Sequence, residues 1–92
     1  MLRIEKDCEK SATKLRLSGR IESHDVASIQ SAINDGCGRK ILDLSEVTLV
    51  DLGVIRFLIA CEDEGAELVQ CPLYVREWIR RERAEGAQWE NG

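Results

Sequence analysis

Apolar and polar positions alternate along the first part of the chain and then fall into a helical rhythm, a change that recurs twice more. "LRI" near the start alternates as an edge or surface strand does. In "TKLRLSG", Leu15 and Leu17 fall on one face and Lys14, Arg16 and Ser18 on the other. That is the period-two pattern of a half-buried strand, ended by Gly19. In "RIESHDVASIQSAINDGCG", Val26, Ile29 and Ile33 follow at steps of three and four, with Ala32 beside them. This spacing predicts an amphipathic helix of about three turns. Ser23 is its expected N-cap, Asp25 would sit near the positive end of its dipole, and Gly36 is the expected stop.

"KILDLS" predicts a short strand. Ile41, Leu42 and Leu44 leave it few polar positions, which suits a central strand covered on both faces. A turn-rich step carrying Ser45 and Thr48 leads to Asp51, which opens a second helix. That helix is apolar on most sides, through Leu52, Val54, Ile55, Phe57, Leu58, Ile59 and Cys61, so it is expected to be largely buried and to end at Gly65. Its strongest stripe is Ile55, Leu58 and Ile59. "AELVQC" predicts a strand with Leu68 and Val69 inside. Pro72 can then begin a third helix, whose apolar face is Leu73, Val75, Trp78 and Ile79. The charged remainder is expected to fray, giving one domain over residues 1–85 and a polar tail over 86–92. Strands alternating with helices predict an α/β fold: a mixed, partly parallel sheet of about four strands with three helices.

Composition narrows the partners. Seventeen acidic residues against thirteen basic ones give a net charge of −4. That argues against nucleic acid, whose phosphates need a concentrated basic surface. The arginines of "VREWIRRER" are interleaved with glutamates, as on a solvated helix with ion pairs. The apolar stretch from Val47 to Cys61 is interrupted by Asp51 and Arg56 and is shorter than the roughly 20 residues of a membrane helix. No secretory signal is visible at the start, so a cytoplasmic protein without membrane insertion is expected.

Candidate chemistry is sparse. Cys8, Cys37, Cys61 and Cys71 form no C-x-x-C pair and read as free thiols, Cys61 and with it Cys37 and Cys71 as small buried hydrophobes. His24 is the single histidine, with Asp25 beside it, and neighbours on a helix do not face one another. A metal- or thiol-dependent protein using His24 and the cysteines is the least favoured alternative, and no phosphate-cradling glycine loop is present. No cofactor is expected. Trp78 reads as core, and Trp89 as a tail residue that is mobile or touches another chain.

Laid out this way, the chain resembles the STAS domain family, the fold of the anti-sigma factor antagonists. Four stretches carry the likeness: "LRLSGRIES", "VASIQSAI", "KILDLSEVTLVD" and "EGAELVQC", together spanning roughly residues 13 to 80. The most recognisable is the strand ending in Asp-Leu-Ser, a short step, and a second aspartate opening a helix. The resemblance implies a non-catalytic protein-interaction module. Its partner surface would comprise Ser45, Thr48, Asp51, Leu52, Gly53 and Arg56. In switchable members the second aspartate is followed by two serines, the first of them phosphorylated by the partner kinase. Here Leu52 stands in that place, so the phosphosite is degenerate. The expected partner is an anti-sigma or kinase-like protein. The alternative is a role as accessory subunit of a bacterial lipid-type ABC transporter, and a homodimer is compatible with either.

Overall fold

The computed structural model describes residues 2–9, 11–36 and 38–91, with side chains through residue 85. The alternating segments become strands β1 (Arg3–Glu9) and β2 (Ala12–Ile21), a hairpin in antiparallel register with Ile4 opposite Leu17. A 3-10 turn over Ser23–Asp25 leads into α1 (Val26–Asp35). Strand β3 (Arg39–Val50), helix α2 (Leu52–Asp63), the short strand β4 (Glu67–Val69) and helix α3 (Leu73–Asn91) complete the chain. The sheet order is β1-β2-β3-β4, with β2, β3 and β4 parallel. The expected four-stranded mixed sheet with three helices is therefore present.

Right-handed crossovers in that strand order put both connecting helices on one face of the sheet. One core results. Leu15, Leu17, Leu42 and Leu44 from the sheet meet Ile29 and Ile33 of α1, Val54, Ile55 and Leu58 of α2, and Val75 and Ile79 of α3. Ile59, expected in the main stripe of α2, is only half-buried. Cys61 takes a buried place instead.

Four readings of the sequence are corrected. The step from Glu46 to Val50 is strand, not turn: β3 runs twelve residues, and β2 stays beside it as far as Ile21 opposite Val50, absorbing two register shifts. The second face of β3 is not covered by an element. Asp43 lies there, only 5% exposed, beneath the side chains of Lys14 and Arg16 at 3.7 and 3.8 Å. Leu73 is 76% exposed and no part of the apolar face of α3. It precedes the buried Val75 by two positions, about 200° around a helix, so the two cannot share a face. The backbone of α3 also stays helical to Asn91, past the point where its apolar pattern fades. Trp89 and Cys37 fall outside what the structure describes of the side chains.

Two features stop and brace α2. Gly65 adopts φ +104° and lets the amide of Ala66 return to the carbonyl of Cys61 at 2.9 Å, a left-handed turn that closes the helix. The arginines of α3 reach across to it: Arg76 and Arg83 lie 3.2 and 2.9 Å from Glu62, and Arg83 lies 3.0 Å from Asp63. These two arginines tie the two helices together.

Candidate functional site

In parallel sheets, loops at the carboxyl ends of the strands are where ligands and partners are met. In this chain that edge is built around Asp51. The residue is extended, with φ −113° and ψ 178°, and its carboxylate accepts the amide of Val54 at 3.0 Å, so it caps α2. The same carboxylate also takes Ser23 from the first crossover. The Ser23 amide donates at 2.9 Å, and its hydroxyl lies 2.9 and 3.0 Å from the two oxygens. These hydrogen bonds, led by the one from Val54, hold the Asp51 carboxyl below the usual aspartate range despite partial burial.

Ser23 is thus not the cap of α1. The chain enters α1 through the 3-10 turn, where the Glu22 amide donates to Asp25 at 2.9 Å. Gly53 explains itself at the same point. A Cβ there would lie 2.3 Å from the Ser23 hydroxyl oxygen, so any side chain at residue 53 competes with Ser23 for one space.

Leu52, between these two contacts, is 39% exposed at the first position of α2. Thr48 is exposed near the end of β3, and its carbonyl accepts the Tyr74 hydroxyl at 2.9 Å. Arg56 is exposed one turn into α2, where its guanidinium lies 3.6 Å from Glu82 of α3. Ser45 stands apart. It is exposed, but six residues before Asp51 on a strand, roughly 20 Å away, and its amide donates to Asp43 at 2.9 Å. So Asp51, Leu52 and Gly53 converge, Thr48 and Arg56 flank them, and Ser45 does not join. Burial favours the protonated form of Asp43. The Ser45 hydrogen bonds and the cations Lys14 and Arg16 outweigh it, and the net pKa is lowered.

Four residues of this edge escaped sequence reasoning: Ser23, Leu49, Leu73 and Tyr74. Leu49, Leu52, Leu73 and Tyr74 are the large hydrophobic residues that remain exposed among the described residues, at 55%, 39%, 76% and 45%. Leu49 and Leu52 flank the β3–α2 junction. Leu73 and Tyr74 open α3, and the Tyr74–Thr48 hydrogen bond brings that opening to the same edge. Gly53 was the available signal for Ser23, since a glycine at a helix start can mark close approach of another backbone or side chain.

His24 does contact Asp25, contrary to the helical-neighbour argument, because residues 23–25 form a 3-10 turn. Its Nε2 lies 3.5 Å from Asp25 and 3.4 Å from Glu22. These three could hold a metal ion between them, but the cluster contains no cysteine, and His24 is solvent-exposed. Cys8, Cys61 and Cys71 lie elsewhere as free thiols, Cys8 exposed and Cys71 half-buried. Burial, with Glu64 nearby, pushes the Cys61 thiol up to about 11, which holds it protonated and unreactive near neutrality. A cleft of about 390 Å³ at the opposite end includes Cys61, Arg39 and Lys40 in its lining. Arg39 is paired with Glu67, and Lys40 donates to the Gly38 carbonyl.

The chain superimposes on the crystal structure of an antisigma-factor antagonist, a STAS domain from Rhodobacter sphaeroides, with a TM-score of 0.55 and 19% sequence identity. The match covers 73% of this chain and 82% of that one. The fold is a STAS fold. No protein-family model matches the chain, and no curated protein matches it in sequence. Within the STAS fold, Leu52 and its neighbours occupy the β3–α2 junction that the sequence motif singled out. Among the described residues, no helix is long and apolar enough to cross a membrane.

Proposed function

We propose that the chain is a non-catalytic protein-interaction module, similar in role to an antisigma-factor antagonist. It binds a regulatory protein through the tip where β3 gives way to α2. The contact comprises Leu52 with Thr48, Asp51, Gly53 and Arg56, extended by Leu49, Leu73 and Tyr74; Ser45, also expected there from the sequence, lies outside it. The observation that carries this reading is the exposure of Leu49 and Leu52 on either side of the β3–α2 junction, with exposed Tyr74 hydrogen-bonded to Thr48 beside them and exposed Leu73 next to it in sequence. Exposed apolar side chains scattered singly are ordinary, whereas a group of them at one end marks a contact surface. The STAS fold, and the role of the antisigma-factor antagonist it resembles, suggest the class of partner.

The reading also makes the module unswitchable at the expected place. Residues 50–54 are Val, Asp, Leu, Gly and Val, and none carries a hydroxyl. Binding there is constitutive, set by apolar contact and not by added phosphate charge.

Site-specific crosslinking in host cells tests the proposal. A photoreactive residue at position 52 or 73 should form a discrete adduct with a second protein, and one at Glu5 on the opposite sheet face should not. Adducts of equal yield from position 5, or none from 52 and 73, would remove the assignment of the surface.

A further inference from the structure

We infer that Ser23 is a positioning residue of the binding tip: it clamps the backbone on both sides of Leu52 and so sets how that leucine is presented. The inference rests on the reading of the tip as a binding surface. On one side, the Ser23 amide and hydroxyl both engage the Asp51 carboxylate, at 2.9 to 3.0 Å. On the other, the Ser23 hydroxyl oxygen fills the space a side chain at residue 53 would take, 2.3 Å from an added Cβ, with the Ser23 Cβ itself at 3.2 Å. Leu52 is the one residue between these contacts. The clamp comes from 28 residues away in sequence, so it joins the first crossover of the fold to the second. Without the hydroxyl, Asp51 keeps the Val54 amide and the Ser23 amide. The first turn of α2, with Leu52 in it, then loses the hydroxyl's share of its lateral restraint.

This geometry predicts a coupling between residues 23 and 53 that an ordinary cap would not give. The hydroxyl of Ser23 and a methyl at residue 53 exclude one another. Gly53→Ala should therefore lower the melting temperature of the native protein. In a Ser23→Ala background the same change should lower it much less, because the hydroxyl is gone and only the Cβ of residue 23, at 3.2 Å, still crowds the added methyl. Four proteins, the parent, the two single variants and the double variant, measured by thermal unfolding, give the answer.

NMR on the same set reads the positioning directly. In Ser23→Ala the Asp51 carboxyl should titrate higher, nearer the ordinary aspartate value. The Leu52 methyl resonances should shift, and the Val54 amide should exchange about fivefold faster, the size expected for a weakened cap. A core variant with a comparable loss of stability, Ile33→Val, should leave the Asp51 titration and the Leu52 methyls in place.

Additive effects of the two substitutions, or an unmoved Asp51 titration and unmoved Leu52 methyls in Ser23→Ala, would overturn the clamp. None of these readouts needs the partner. If the tip is not a binding surface, crosslinking from position 52 fails while the coupling between residues 23 and 53 persists. If the clamp is wrong, the reverse holds.

Discussion

At the scale of single residues, Asp51 concentrates several roles. It caps α2, holds Ser23 and places Leu52 at the surface. Asp51→Ala should cost about 1 kcal/mol, the typical loss of a helix N-cap, measured by urea unfolding. The pH dependence has a definite sign. The folded pKa of Asp51 lies below the ordinary value, so its stabilisation is complete above the unfolded pKa of about 4 and is lost as pH falls through the lower folded value. Asp51→Asn should remove this part of the acid sensitivity, so parent and variant should differ more at pH 7 than at pH 3. The absence of hydroxyls over residues 50–54 gives a second expectation: an anti-sigma-type kinase adds no phosphate there. Intact-mass and peptide mapping after incubation check it. A phosphate on Ser45 or Thr48 would point to a switch elsewhere on β3. The cap at Asp51 was legible in the sequence, because a carboxylate directly before an apolar helical run has a local reason to be there. Ser23 was misread for the converse reason. Its nearest helix start offered a plausible local partner, whereas its actual partner lies 28 residues on.

At the scale of elements, helical periodicity was the dependable guide and element ends were not. Val54, Ile55 and Leu58 are buried together, as their spacing required. Leu58→Ala should cost about 2–5 kcal/mol by opening a cavity in the single core. Leu73→Ser, on a side chain the pattern had assigned to the core, should shift stability by no more than about 0.5 kcal/mol. Chemical denaturation of the two variants together tests the reassignment of the α3 face. Strand β3 was underestimated because Ser45, Glu46 and Thr48 look like turn residues. The neighbouring strand β2 overrides that local preference by pairing as far as Val50. Buried Asp43 was hidden for a similar reason. Its partners are Lys14 and Arg16 on the neighbouring strand, whose charged ends lie 3.7 and 3.8 Å from its carboxylate.

At the scale of the whole molecule, the order of strands and helices could be read along the chain, and with it the STAS fold. The proposed binding edge could be read only in part. Leu49, Asp51 and Leu52 lie close together in sequence, but Leu73 and Tyr74 reach the same end only once β4 has paired beside β3 and α3 has begun there. The thiols follow burial rather than spacing. Cys8 should react at once with a thiol reagent in native protein, and Cys61 only on unfolding, as mass mapping of the labelled peptides would report. The central claim is that Leu52 faces a partner and not the core. It is tested most directly by Leu52→Asp, with thermal unfolding measured beside affinity for the protein captured from position 52. A carboxylate at the first turn of a helix suits the dipole by roughly 0.3–1 kcal/mol. The account therefore predicts an almost unchanged melting temperature and affinity reduced at least about tenfold, some 1.4 kcal/mol. A large fall in melting temperature, or binding that survives the substitution, would contradict it.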